Sequence, residues 1–466
     1  MTGIDRDLRT ASLRTGVNVV GTSLMLASFV RCSSEPVPGD AADSDDGIVT
    51  LGETEDTVAG GTEDADASTR GTDSTPGLDS TGPDPKFDVG TEQETEGVSE
   101  CGCGSTDYSY LWAANAPEST VSKINTRTMA EEGRYPTHPD GDGNPSRTSV
   151  SVDGKAVVVQ NRDKPGLVKI WARPELCDPM RNGVPGLQTS TGADDVLAFE
   201  DDDCFAWWTP FPDMTVQRPV AWTQGQLNRD CEYEQQKIWT VTGDQGTLGE
   251  CGSDGVWVHR LDGDTGVVEE SVHLSEDEFA CNNSRGAYGG AVDSEGNFWF
   301  SGWQNSRLAR VAFETLDVTV VDVPGSNPYG ITVDTQGRPW LTWPVRRYDP
   351  LMDVWDEVPL DASTGIAEDN VGRMWVSDGN DLVWIDRDTM TIGETIDLPA
   401  ADGTIPRGIA VDVDGMVWVV RRLSNLAYRV DPADSSITEF DTLNGAYTYS
   451  DMTGGQLQNV TCNPPG

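Results

Sequence analysis

Histidine and positive charge are what this chain has least of: 3 His and 32 Lys plus Arg stand against 78 Asp plus Glu in 466 residues, a formal charge of −46. So acidic a surface gains nothing from a phosphate backbone or an anionic bilayer, which argues against nucleic acid as a partner and against electrostatic membrane binding. No C-x-x-C pair occurs; Cys101 and Cys103 are spaced C-x-C, and with 3 His in the whole chain a structural zinc site is not indicated. Also missing, in any strand–turn–helix context, are a G-x-S-x-G elbow, a Walker loop and a dinucleotide fingerprint. "GTLGECG" at 246–252 is glycine-rich, but no helix follows it.

Aromatic residues are absent where acid is densest. Residues 33–100 hold 19 Asp plus Glu, 2 Lys plus Arg and no Trp or Tyr. Such a segment cannot bury enough apolar area to offset the entropy of ordering it, so 33–104 reads as a solvated, self-repelling linker. All 15 Trp lie after residue 111, which puts the folded part at 105–466.

Residues 1–32 have the layout of an export signal. Arg6, Arg9 and Arg14 precede an apolar run from Val17 to Val30, too short for a comfortable membrane span, and Cys32 follows. The order of basic start, apolar run, Cys, spacer and domain resembles a bacterial lipoprotein, in which the Cys becomes the lipidated first residue. "FVRC" departs from the lipobox at Arg31 and Phe29. The expected location is extracytoplasmic, at the outer membrane or cell surface, with Cys32 as the sole anchor. The other eight cysteines (Cys101, Cys103, Cys177, Cys204, Cys231, Cys251, Cys281 and Cys462) fit an oxidising compartment and disulfides. Their pairing is open among 105 connectivities.

One phrase recurs in the folded part. "GGAVDSEGNFWFS", "GITVDTQGRPWLT", "GIAEDNVGRMWVS" and "GIAVDVDGMVWVV" share D-x-x-G-x-x-W. Their Asp are Asp293, Asp334, Asp369 and Asp412, and their Trp are Trp299, Trp340, Trp375 and Trp418, at spacings of 41, 35 and 43 residues. Period-two alternation, a glycine turn and a returning strand make each phrase a hairpin, and the spacing is that of four-stranded propeller blades. Residues 149–171 and 237–274 read as more divergent blades. Residues 109–135 look like a blade lacking its first strand, and 446–460 like an orphan first strand that would close the ring and remove its exposed edges. The expectation is an all-β, seven-bladed β-propeller, with six or eight blades open, and with Cys462 near Cys101 or Cys103 at the seam.

The phrase G-[IA]-x-V-D-x-x-G-x-x-W, followed by "NSRLARV" and "NLAYRV", resembles streptogramin (virginiamycin) B lyases and the wider NHL-type propellers, strongly over 284–442 and faintly over 109–283. The resemblance implies the propeller. It also implies, for the lyases, lactone opening by elimination with His and Glu near Mg²⁺, their His lying just before innermost strands. Here those positions are Gly289, Tyr329, Thr364 and Arg407. His259 and His273 fall in outer strands; His138, in "YPTHPDGDG", is the one candidate base.

Three further sets of residues stand out. Arg147, Arg162, Arg285, Arg346, Arg347, Arg407, Arg421 and Arg422 fall in loops expected on one propeller face, where guanidinium forks suit carboxylate or sulfate. Tyr329, Trp303 and Trp343 share that face and could stack on sugar rings. Asp140, Asp142 and Asn144 alternate in "DGDGN", a spacing for oxygen ligands to Ca²⁺ or Mg²⁺, without the glutamate that ends an EF-hand loop. The run Asp201 to Asp203 reads as a solvated loop. The leading function is binding of an extracellular small molecule, glycan or protein through the loop-rich face. The alternative is a lyase or lactonase using His138 and a divalent metal.

Overall fold

The repeated phrase locks itself before it builds anything larger. In each copy one Asp oxygen accepts the indole N–H of the Trp six residues on, at 3.0 Å for Asp293–Trp299 and 2.9 Å for the other three pairs. The second oxygen accepts two backbone N–H groups across the turn, as Asp412 does from Asp414 and Met416 at 3.0 Å. The turn glycines Gly296, Gly337, Gly372 and Gly415 sit at φ of +79°, +78°, +84° and +80°, where a side chain would be strained. All four Asp are buried, so the carboxylate serves as an internal staple between the first two strands of a blade.

A computed structural model describes residues 103, 107–243, 251–281, 285–325, 327–400 and 403–464. The expected export segment, Cys32, Cys101 and all of the acidic linker except residue 103 lie outside the described residues. Among the described residues, seven antiparallel sheets follow one another along the chain as blades, and a separate two-stranded ribbon, Gln226–Leu227 with Tyr233–Glu234, lies within the third. The first has three strands, Tyr110–Asn115, Thr120–Asn125 and Ala130–Pro136. The other six have four each, with innermost strands Pro145–Val150, Thr215–Trp222, Ala287–Val292, Ile331–Val333, Ala367–Glu368 and Pro406–Val411. Apolar clusters are shared by neighbouring sheets, as where Trp112 and Tyr135 meet Val157 and Val168, or Trp375 meets Ile409 and Val419. The chain is a seven-bladed β-propeller.

The divergent second blade keeps all four strands. The last, Phe205–Pro210, returns after a long connection clamped by Cys177–Cys204. Asp202 and Asp203, expected in solvent, are fully buried there. Asp202 accepts the N–H groups of Ser190 and Cys204, both at 2.9 Å, and Asp203 those of Gln188 at 2.7 Å and Asn182. The acidic run is the connection's internal scaffold.

The ring closes as the sequence indicates, though with less regular backbone. Tyr447 N donates to Ala114 O and Trp112 N to Met452 O, both at 2.9 Å, so residues 446–452 supply the first sheet's missing innermost ribbon. A Cβ on Gly408 would come within 2.4 Å of Thr448 O, so that ribbon passes against bare backbone. The expected strand ends there. Residues Gly455–Cys462 form a helix, α1, whose side chains bond carbonyls at the far ends of innermost strands: Gln456 to Val333, Gln458 to Val152 and Asn459 to Glu368. Asp451 accepts the N–H groups of Gly454, Gln456 and Leu457 at the start of α1. Cys462 is bonded to Cys103, 359 residues away, which fastens the helix to the other end of the domain.

Two outcomes are expected. Asp412→Ala leaves an indole N–H and two backbone N–H groups without their acceptor and should cost about 2–4 kcal/mol, while Trp418→Phe, losing one bond, costs about 1–2 kcal/mol. Denaturant unfolding measures both; losses below about 0.5 kcal/mol in each would refute the staple. Burial pushes the Asp451 carboxyl up to about 6. The folded state therefore holds the extra proton between the unfolded carboxyl value, about 4, and 6, and this contribution to stability falls as pH rises through that window. The stability of the wild type minus that of Asp451→Asn should decline from pH 4 to 6 and then level off; a rising difference contradicts it.

Candidate functional site

The innermost strands run from one face of the propeller to the other. Residues at their starts and just after the second strands, with the 446–452 ribbon, build an aromatic cluster of Tyr288, Trp303, Tyr329, Tyr447 and Tyr449, joined by Trp343 at its edge. The hydroxyl of Tyr447 lies 3.1 Å from that of Tyr288 and 3.3 Å from that of Tyr329. Burial holds the Tyr449 phenol well above its usual range, so it stays neutral. Below these rings the axis holds a cavity of about 30 Å³, lined in part by Ser149, Thr332 and Asp451, and α1 closes its lower end. The axis is a plugged shaft, so any ligand on this face sits above the tyrosines.

Arginines pack on these rings. The Arg147 guanidinium is 3.1 Å from the Tyr449 ring centre and 5.1 Å from that of Tyr288, and it donates to Tyr288 O at 2.8 Å. Its side chain is inaccessible to solvent and forms no ion pair with any described residue. Arg162 lies 4.6 Å from the Tyr447 ring, Arg407 4.7 Å from Tyr329, Arg285 3.4 Å from Trp303 and Arg422 5.8 Å from Tyr447. Of the eight predicted arginines these five gather at the mouth.

The remaining three do not. Arg346 and Arg347 belong to the third strand of the fifth blade, Arg346–Asp349, rather than to a loop. Arg346 bonds Pro324 O and pairs with Glu357, and Arg347 pairs with Asp356. Arg421 ends a second strand and bonds Thr404 and Asn380, spanning adjacent blades. Their charge goes into the wall.

Sequence reasoning missed Arg218, 5.1 Å from the Tyr288 ring, and the tyrosines of the closing ribbon. The alternation in "AYTYS" was the available signal, because it puts Tyr447 and Tyr449 on one side of an extended segment. Also missed was Glu368, which stands where the other three copies of the phrase have Val. It is buried beside a polar groove of about 450 Å³ on the opposite face, and it accepts bonds from Thr335 and Arg387. Burial and the nearby Asp334 push its carboxyl up to about 6.

On the arginine face, the loop from residue 137 to 144 leads into the second blade. A His138 ring nitrogen and one carboxylate oxygen each of Asp140 and Asp142 lie within 4.8 Å of one another. Burial lowers the His138 pKa, which favours neutral imidazole. Asn144, the expected third oxygen ligand, is diverted: its side chain accepts from Arg162 and donates to Asp163 at 2.7 Å. The histidine takes its place in the cluster. His259 and His273 lie in outer strands, as expected; burial drives His259 down to about 4, and it bonds Thr242 and Ser271.

Disulfides join Cys103–Cys462, Cys177–Cys204 and Cys251–Cys281, and Cys231 is also disulfide-bonded. Among the described residues no helix is long and apolar enough to cross a membrane.

Among solved structures the chain is similar to a streptogramin B lyase, at 17% identity over 65% of this chain and 84% of that one, with a TM-score of 0.44. It is similar to virginiamycin B lyase from Staphylococcus aureus at 15% identity over 68% and 92%, TM-score 0.45. A functionally unknown protein from Desulfotomaculum acetoxidans matches at 10% identity over 73% and 97%, TM-score 0.49. No protein-family model and no curated protein sequence matches the chain. The likeness is one of fold.

Proposed function

We propose that this protein is an extracytoplasmic binding propeller, tethered through Cys32, that captures an anionic small molecule or acidic glycan above the tyrosine floor of its arginine face. One observation carries the reading: Arg147 is fully buried, has no carboxylate partner among the described residues, and is held by carbonyl oxygens and two tyrosine faces. A desolvated guanidinium compensated only by dipoles and π-faces leaves a positive potential at the mouth of an otherwise acidic body, which attracts and orients anions. Arg162 and Arg422, both against Tyr447, would provide the fork contacts to carboxylate or sulfate. The disulfides agree with an oxidising compartment.

A lyase or lactonase reading draws on a different observation, the neutral His138 beside two carboxylates, which is the make-up of a general base. Lactone turnover that His138→Ala abolishes would favour it over the binder.

The binding reading is checked by titrating sulfated and uronate oligosaccharides at low salt into wild type and the Arg162→Glu/Arg422→Glu double variant. Affinity should fall roughly tenfold or more on charge reversal and weaken with added salt. Equal affinity in both proteins removes the mouth as the site.

A further inference from the structure

His138 is 8% exposed, yet its ring is only half used. Nδ1 accepts the Asp140 N–H at 3.0 Å, the ring edge packs on Trp208 at 5.0 Å between centroids, and the other nitrogen has no hydrogen-bond partner among the described residues. Facing this ring are two carboxylates, Asp140 and Asp142, whose mutual repulsion is relieved by Lys164 Nζ, 2.5 Å from Asp142 and 3.5 Å from Asp140. A single ammonium against two carboxylates leaves the cluster with a negative charge.

The loop is built to hold this arrangement. Gly141 N donates to His138 O at 3.1 Å, and Gly141 has φ of +78°, so the chain turns tightly and residues 138, 140 and 142 converge. Each end is pinned to the second blade: Thr137 exchanges bonds with the Asn161 side chain at 2.8 and 2.7 Å, and Asn144 is held by Asp163 and Arg162. The histidine and both acids therefore sit on a fixed turn.

We propose that His138, Asp140 and Asp142 form a binding site for a divalent d-block cation of the zinc or manganese type, and that Lys164 occupies the carboxylates until the ion displaces it. One imidazole nitrogen with two carboxylate oxygens is a donor set for such ions, with water completing the shell. Ca²⁺ takes six to eight oxygens and Mg²⁺ an octahedron of oxygens, and neither gains from the imidazole. The ion needs a ring lone pair, so the Asp140 N–H···Nδ1 bond is given up on binding. That loss and the displacement of Lys164 both oppose binding. The ammonium is thus a built-in competitor, and its removal should tighten the site.

The test is calorimetric titration of the chelator-treated full chain with Zn²⁺, Mn²⁺, Ca²⁺ and Mg²⁺. One equivalent of Zn²⁺ or Mn²⁺ should bind, with Ca²⁺ and Mg²⁺ at least tenfold weaker. His138→Gln and Asp142→Asn should each weaken Zn²⁺ at least tenfold with thermal melting of the metal-free protein unchanged, and Lys164→Met should tighten it severalfold. Zn²⁺ should also shift the His138 ring resonances. Zn²⁺ binding unaltered in His138→Gln, a site preferring Ca²⁺, no binding, or no tightening in Lys164→Met would each overturn the proposal. The metal titrations leave Arg162 and Arg422 intact and the oligosaccharide titration reads anion affinity alone, so either idea can fail without the other.

Discussion

The aspartate that accepts its own blade's indole N–H is the interaction on which this domain rests. Burying a carboxylate is costly unless its oxygens are filled, and here each is filled from within one hairpin: one oxygen by the Trp, the other by two backbone amides across a glycine turn. Desolvation raises the Asp412 carboxyl above its ordinary value, and its bonds to Trp418 and Met416 oppose that rise. With the lock in place the Trp side chain packs against residues of the next sheet, as Trp375 does against Ile409 and Val419, so a local hydrogen bond sets long-range packing. The carboxylate and indole of the motif are thereby engaged within the hairpin.

The closing ribbon links that architecture to the mouth. Residues 446–452 complete the first sheet by backbone pairing, and the same stretch delivers Tyr447 and Tyr449 to the axis. A few residues on, α1 plugs the opposite end and is anchored through Cys462 to Cys103. One segment therefore closes the ring, floors the arginine cluster and seals the shaft. In a chain that is acidic overall, positive charge is thereby concentrated over these tyrosine rings.

Much of this was legible in advance. The period of the D-x-x-G-x-x-W phrase marked the blades, the incomplete sheet at 109–135 marked the seam, and the arginine clustering marked five residues that do meet. What misled was local pattern without depth. Asp201 to Asp203 look solvated because acidic runs usually are, but a disulfide-bound connection folds two of them inward against orphan amides. Asn144 has the right spacing for an ion, but Arg162 reaches it first. Arg346 and Arg347 precede a strand-like segment whose start shifts by only a few residues, enough to move both from loop to wall.

By itself, the sequence determined the blade repeat, its hairpin turns and the stapling pairs, because these bonds join residues within about six positions and depend on nothing outside the hairpin. It also determined the formal charge of −46. Only the tertiary structure decided which arginines lose their solvent, which tyrosines floor the mouth, and that His138 rather than Asn144 joins the two aspartates. Those facts depend on contacts between residues as far apart as 147 and 449, and the burial and charge pairing that result are properties of the closed ring.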